Sequence, residues 1–225
     1  MRKILLCAAV MFLVCGVTAN VSAAFTGTYY NLYDPGNPIH PDVEGTITGI
    51  DPGYVETTLT GSMPTLTPYG ATKISQFDWW TGTPVFTRTD SYDDLASNFG
   101  APDWFPVNEG LPGDPYYFAV HWSGTISVGG NPYRMTMGSD DDSWVFIDNE
   151  LVVDLGGVHG FAPSLGTWDL PLSAGTHTVD IFFAERHTTC SGIQFSASQV
   201  PEPSTILLIG TGLIGLAGFG RKFRK

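Results

Sequence analysis

From Phe25 to Ser198 no stretch sustains the apolar period of about 3.6 residues that marks an amphipathic helix. Aromatic, aliphatic and β-branched runs are short, and glycine or proline interrupts them at close intervals, with 27 glycines and 16 prolines in 225 residues. Such punctuation excludes a helical bundle and predicts an all-β fold, a single sandwich or barrel of short strands. The clearest strand is YYFAVHWSGTISV, where Phe118, Val120 and Trp122 share one face and Tyr117, Ala119 and His121 the other. GTHTVDIFFAE turns Val179, Ile181 and Phe183 inward, GIQFSAS closes the sheet, and FTGTYYNLYD opens it. SWVFID and LVVDL flank Asn149-Glu150, the expected position of a tight hairpin turn. ISQFDWW, PVFTR and Gly45 to Ile50 read as further short strands, within and after a proline-rich stretch from Asp34 to Tyr69 that otherwise reads as loops. Asp90 to Asn98 reads as a turn or two of helix. No repeat and no linker divides residues 25–198, so one domain is expected there.

The two ends are of different character. Residues 1–23 begin with Arg2 and Lys3, continue with an apolar run from Ile4 to Val17, and finish in Val21-Ser22-Ala23, the layout of a secretory signal peptide handled by the Sec translocon. Residues 200–225, VPEPSTILLIGTGLIGLAGFGRKFRK, hold a stiff polar spacer, an uncharged apolar segment over about 205–220, and the basic residues Arg221, Lys222, Arg224 and Lys225. The apolar segment predicts a short transmembrane helix, brief against the roughly 20 residues a span usually takes. The terminal basic residues place its far end in the cytoplasm. Pro201-Glu202-Pro203, the short apolar segment and the basic tail together resemble the PEP-CTERM sorting signal. That resemblance implies export across the inner membrane of a Gram-negative bacterium, transient anchoring there, cleavage near Pro-Glu-Pro by an exosortase, and release to the cell surface or biofilm matrix.

Between the ends the only basic residues are Lys73, Arg88, Arg134 and Arg186, whereas all of the 22 acidic residues except Glu202 lie in that stretch. A surface of this sign repels nucleic acid and anionic membrane and attracts divalent cations. Cys190 is the single cysteine outside the signal peptide, so no intramolecular disulfide is available to staple the domain.

Three aspartates, Asp140-Asp141-Asp142, stand directly before the apolar run SWVFID. On a regular strand neighbouring side chains point to opposite faces, so Asp140 and Asp141 reach one site only where the backbone turns between them. Calcium, which takes six to eight oxygens without strict geometry, suits such a pair. A solvated acidic turn at the start of the hairpin is the plainer alternative. An EF-hand does not match, because Trp144 and Phe146 occupy positions that need oxygen ligands. His159, His177 and His187 lack the spacing of a zinc motif. Asp148 and Asp154 read as residues that fix turns, Arg186 as the partner of a neighbouring acid, and Trp79, Trp80 and Trp104 as core residues before sugar platforms.

GSDDDSWVFIDNELVVDLGGVHG and AGTHTVDIFFAERHTTCSGIQFS resemble the fibro-slime domain, a relative of the PA14 domain, and FTGTYYN and FAVHWSGTISV match the broader family. The resemblance implies a β-sandwich in which many members bind glycans through calcium. In those members the metal sits on two adjacent aspartates joined by a cis peptide and aided by a second loop. Carried onto this chain, the pair falls on Asp140 and Asp141, with Asp142 where many relatives have glycine. The second loop falls on Ala184 through Gly192, where Glu185 stands in for the asparagine of adhesins and Arg186 and His187 border the ligand. The implied metal set is therefore Asp140, Asp141, Asp142 and Glu185, the cofactor calcium, and the partner an extracellular polysaccharide or glycan. A structural surface protein without a ligand is the alternative. A glycoside hydrolase using Asp141 and Glu185 is a third reading, without a recognisable catalytic core, so the chain is expected not to be an enzyme.

Overall fold

The computed structural model of the chain describes residues 24–32, 40–91, 117–129, 133–160, 166–187, 191–199 and 209–213. Its strands are β1 (Ala24–Asn31), β2 (Phe86–Ser91), β3 (Phe118–Val128), β4 (Tyr133–Asp140), β5 (Asp142–Ile147), β6 (Glu150–Leu155), β7 (Gly166–Leu170), β8 (Gly175–Glu185) and β9 (Gly192–Gln199). They form two antiparallel sheets, one of six strands in the order β2-β1-β3-β8-β5-β6 and one of three in the order β7-β4-β9. This is the expected β-sandwich. Its spine is the ladder of β3 with β8, paired from Phe118↔Glu185 to Val128↔Gly175.

Alternation along these two strands decides which side chain joins which core. Phe118, Val120, Trp122, Ile126, Val179, Ile181 and Phe183 face the small sheet and close on its Met135, Met137, Ile193 and Phe195, all buried. Tyr117, Ala119, Phe182 and Ala184 point the other way and join Trp144 and Phe146 of β5 in a second cluster. All six residues of β5 are buried, and the apolar run Trp144 to Ile147 is what a strand covered on both faces requires.

The second cover is not a sheet. Residues 54–80 supply Tyr54, Val55, Leu59, Ile74, Trp79 and Trp80 to that cluster, with little regular structure beyond isolated bridges and a 3₁₀ turn at Gly70–Thr72. Here the structure corrects two expected strands. Gly45 to Ile50 is not a strand, because the Thr48 and Gly49 N–H groups both donate to the Val158 carbonyl, at 2.9 and 3.1 Å. ISQFDWW is not one either. The Asp42 carboxylate takes the N–H groups of Ser75 and Gln76 at 2.7 and 2.9 Å, which a ladder would otherwise use. The Trp80 indole N–H donates to the Val120 carbonyl at 3.0 Å, so Trp80, like Trp79, is a core residue.

The hairpin turn lies one position earlier than expected. β5 ends at Ile147 and β6 starts at Glu150, with Asp148 and Asn149 at φ +50° and +73°. A two-residue turn that matches strand twist needs both residues left-handed, which Asp and Asn adopt more readily than Glu. The Asp148 carboxylate also accepts the Thr178 N–H at 2.9 Å and pairs with His177 Nδ1 at 2.5 Å. Residues 209–213 are helical, and among the described residues no helix is long and apolar enough to cross a membrane. The signal peptide at 1–23, Trp104, most of Asp90–Asn98 and the rest of the apolar segment at 205–220 lie outside the described residues.

Two outcomes follow from this packing. Phe183→Ala should lower the unfolding free energy in a denaturant titration by about 3–5 kcal/mol, whereas Ile47→Ala, at a side chain 65 % exposed, should change it by less than about 0.5 kcal/mol. His177 is held protonated above its ordinary range by the Asp148 hydrogen bond and then by the Ser173 carbonyl. Its folded pKa is raised, so its stabilisation is complete below about pH 6.5 and is lost as pH rises through the raised value. His177→Gln should remove that component from a plot of melting temperature against pH.

Candidate metal centre

The chain changes sheets at the three aspartates. Asp140 is the last residue of β4, opposite Gly192 of β9 in the small sheet, and Asp142 is the first of β5, opposite Ala184 of β8 in the large one. Asp141 lies between the sheets, and the Asp140–Asp141 peptide bond is cis. Glu185, at the end of β8, closes on the same point. One carboxylate oxygen from each of Asp140, Asp141 and Glu185 lies within 4.8 Å of the others, and all three residues are buried.

Each acid has a different neighbourhood. The Asp142 carboxylate accepts Arg186 Nε–H at 2.7 Å and the Gly157 N–H at 2.6 Å. The Arg186 guanidinium also donates to the Asp42 carbonyl at 3.2 Å and lies over the Trp79 ring at 4.9 Å. Asp142 is therefore the counter-ion of Arg186, as the sequence expected of Arg186, and it stands apart from the three-carboxylate group. Asp141 accepts the His159 N–H on one oxygen at 2.9 Å and the Arg186 N–H on the other at 2.8 Å. Burial and then the charge of Asp142 raise its pKa. Glu185 accepts the His187 N–H through Oε1 at 2.9 Å, while its buried Oε2 has no hydrogen-bond partner. Burial, then Asp141 and Asp140, push its pKa well above the usual carboxylate range.

Two residues expected to border a ligand are thus placed unlike each other. Arg186 is buried in the Asp142 pair. His187 is half-buried, with Nε2 3.6 Å from Glu44 Oε2. Glu44 in turn accepts the Tyr117 hydroxyl, and its N–H donates to the Arg186 carbonyl at 2.7 Å. The three histidines do not converge: His159 Nε2 bonds the Leu155 carbonyl, His177 bonds Asp148 and His187 meets Glu44. Asp154 braces a turn, as expected, by accepting the Gly53 and Gly156 N–H groups and the Trp144 indole.

Sequence reasoning missed the backbone donors at Gly157 and His159. A signal was present in Gly156-Gly157: Gly157 has φ +115°, and a Cβ there would fall 2.3 Å from the Gly49 carbonyl oxygen. Only glycine admits that approach of residues 48–51 to the loop. It missed Asp42 and Glu44 because neither lies in a periodic segment.

The donor set fits a hard divalent cation. Three convergent carboxylates in a buried site are mutually repulsive, and an orphaned buried oxygen such as Glu185 Oε2 is rare in a folded protein. Oxygen-only ligands favour calcium over zinc or copper.

The PA14 domain family matches residues 76–202, over half of the chain, and the PEP-CTERM protein-sorting motif matches residues 199–225, which include Pro201, Glu202 and Pro203. Protein psiB of Dictyostelium discoideum is 37 % identical over 112 residues, covering 43 % of this chain and 20 % of its own length. Protein psiQ of the same organism is 51 % identical over 61 residues, covering 26 % of this chain and 6 % of its own. The matched region thus spans a fifth or less of these two relatives. Among solved structures, a PA14 sugar-binding domain from an RTX adhesin aligns with TM-score 0.39 at 14 % identity, over 79 % of this chain and 90 % of that one. The epithelial adhesin 9 A domain of Candida glabrata, in complex with Galβ1-4GlcNAc, aligns with TM-score 0.42 at 11 % identity, over 79 % and 82 %.

The Arg186 pair generates a direct test. Asp142→Ala strands a buried guanidinium and should cost about 3–5 kcal/mol in a denaturant titration. Replacing both partners, Asp142→Ala with Arg186→Met, should recover part of that loss. A single variant as stable as the parent would refute the pairing.

Proposed function

The chain belongs to the PA14 domain family and ends in a PEP-CTERM sorting motif, and from that premise we propose that it is an exported surface or matrix protein that binds glycan with the help of calcium. The observation that carries the metal is the convergence of Asp140, Asp141 and Glu185 with an unpartnered Glu185 Oε2 among them. These three residues would hold the ion, with Asp142 outside the set as the partner of Arg186. When bound, the ion would supply positive charge beyond that of Arg186 and a Lewis-acidic centre for sugar hydroxyls. Around it the chain's own groups hold the ligands in place, the His159 and Arg186 N–H groups on Asp141 and the His187 N–H on Glu185. The segment joining Glu44 to Gly49, tied to Arg186 and Val158, forms the rim beside which a sugar would lie.

Binding is favoured over hydrolysis by the state of Asp141. Both of its oxygens accept backbone N–H groups, and neither it nor Glu185 is exposed by more than 1 %. A glycosidase needs its two carboxyls open to the glycosidic bond, separated by about 5 Å or more. A purely structural role is the second reading. Its support is that Asp141 and Asp142 already have protein partners on every oxygen. Sorting by an exosortase, with transient inner-membrane anchoring, follows from the reading of residues 199–225.

Calcium at millimolar concentration, added to chelator-treated protein, should raise the melting temperature. A ligand at roughly 100 to 1,000 times its Kd adds about 2–4 kcal/mol. Asp140→Ala should abolish the rise, and glycan-array binding should vanish with chelator. A flat calcium response with an intact fold would leave the structural reading.

A further inference from the structure

The peptide unit between Arg186 and His187 is hydrogen-bonded on both of its edges. Its carbonyl accepts the Glu44 N–H at 2.7 Å, and its N–H donates to Glu185 Oε1 at 2.9 Å. In a planar trans peptide these two groups point in opposite directions, so a donor on one edge fixes where the other edge aims. Hydrogen bonds in line through one peptide also polarise and strengthen each other. Glu44 thereby acts on the acidic group through a neighbour. With Oε1 of Glu185 engaged in this way, its buried Oε2 is the oxygen left for a further ligand.

The backbone of Glu44 is unusual. Its φ is +53°, in the left-handed region that a residue with a Cβ adopts at a cost and glycine adopts freely. The residue is fastened on two sides. The Tyr117 hydroxyl donates to Glu44 Oε1, and Tyr117 directly precedes β3, whose first residue, Phe118, pairs with Glu185. Two positions earlier, the Asp42 carboxylate takes the Ser75 and Gln76 N–H groups, and the Asp42 carbonyl accepts Arg186 Nη1–H at 3.2 Å. Residues 42–44 therefore join the irregular cover to the strand end that carries Glu185. A costly backbone conformation held in place beside a site is the mark of a positioning role.

We propose that Glu44 is the positioning residue of the acidic group. Its left-handed backbone sets the Arg186–His187 peptide so that the His187 N–H holds Glu185 Oε1 and leaves Oε2 for an incoming divalent cation. Tyr117 is its anchor. This rests on the calcium reading for the identity of the ligand and deepens it by naming what prepares the site before the ion arrives. Ligands held in advance lose less freedom on binding.

Glu44→Ala and Glu44→Gly test this as a pair. Both delete the same carboxylate and leave Tyr117 without its acceptor, but only glycine takes the left-handed backbone without cost. The full chain, held in detergent, is read in two ways. The first, without calcium, is the hydrogen-exchange protection of the His187 N–H relative to that of Ile181 within β8. The expected result is a loss of roughly 5- to 30-fold in Glu44→Ala, the equivalent of the left-handed cost, with most of it restored in Glu44→Gly. The second is the calcium dissociation constant from calorimetry, expected to be weaker in Glu44→Ala than in Glu44→Gly by a similar factor. Tyr117→Phe leaves the exposed Glu44 carboxylate to water and should lower His187 protection in the same direction, which keeps the test open if neither Glu44 variant folds. Equal protection in the two Glu44 variants would overturn the proposal, and so would unequal protection with equal dissociation constants. A parent chain that shows the exchange pattern but binds no calcium would sink the calcium reading and leave the positioning of Glu185 by Glu44 standing.

Discussion

The buried ion pair between Asp142 and Arg186 is the condition under which three consecutive aspartates can sit at a crossing between two sheets. A charged carboxylate taken out of water costs several kcal/mol unless it is paired and hydrogen-bonded. This chain meets that cost in a different way at each position. Asp142 has a guanidinium and the Gly157 N–H, Asp141 has two backbone N–H groups, and Asp140 and Glu185 share the remaining pole. Arg186 serves twice, with its side chain on Asp142 and its backbone N–H on Asp141. It is also one of only four basic residues between the two terminal segments. The scarcity of basic residues in the domain makes that placement consequential, because a single arginine serves two of the clustered acids.

The irregular cover over the second face of the large sheet serves the same centre. Arg186 is roofed by Trp79, reached by the Asp42 carbonyl and tied to Glu44, all from residues 40–81. That segment also buries Tyr54, Ile74 and Trp80 against Phe182 and Trp144. Removing water from the Asp142–Arg186 pair and completing the second apolar cluster are thus one act of packing. A segment that forms few ladders is held instead by side-chain carboxylates, Asp42 on Ser75 and Gln76, and Asp154 on Gly53.

What could be read from the sequence follows from this division. β3 and β8 were legible because each of their faces carries its own apolar set, and alternation survives even where both faces are buried. The aspartate pair was legible because charges before a buried run demand an explanation, and family resemblance supplied Glu185. Residues 40–81 were not legible, since their order comes from contacts with Val158, Arg186 and Asp154, distant in sequence, and not from any period of their own. The hairpin turn falls one residue earlier than the sequence suggests because Asp148, like Asn149, adopts a left-handed backbone. The structure pairs Asp142 with Arg186, while carboxylate oxygens of Asp140, Asp141 and Glu185 converge beside that pair. Three like residues in a row look equivalent in a sequence, but the chain changes sheets at Asp141, so that Asp140 ends β4 and Asp142 starts β5 beside Arg186.

Burial of the acidic group also limits how it can act. Asp140, Asp141 and Glu185 are each exposed by 3 % or less, so no polymer touches their oxygens directly. Under the calcium proposal a small ion would be the mediator, and the rim from Glu44 to Gly49 with half-buried His187 would be where a larger partner contributes its contacts. Affinity would then divide between a centre common to proteins with the same aspartate pair and a border peculiar to this chain. Under the same proposal specificity would belong to the border, because a bound ion would meet only hydroxyls, whichever sugar bore them.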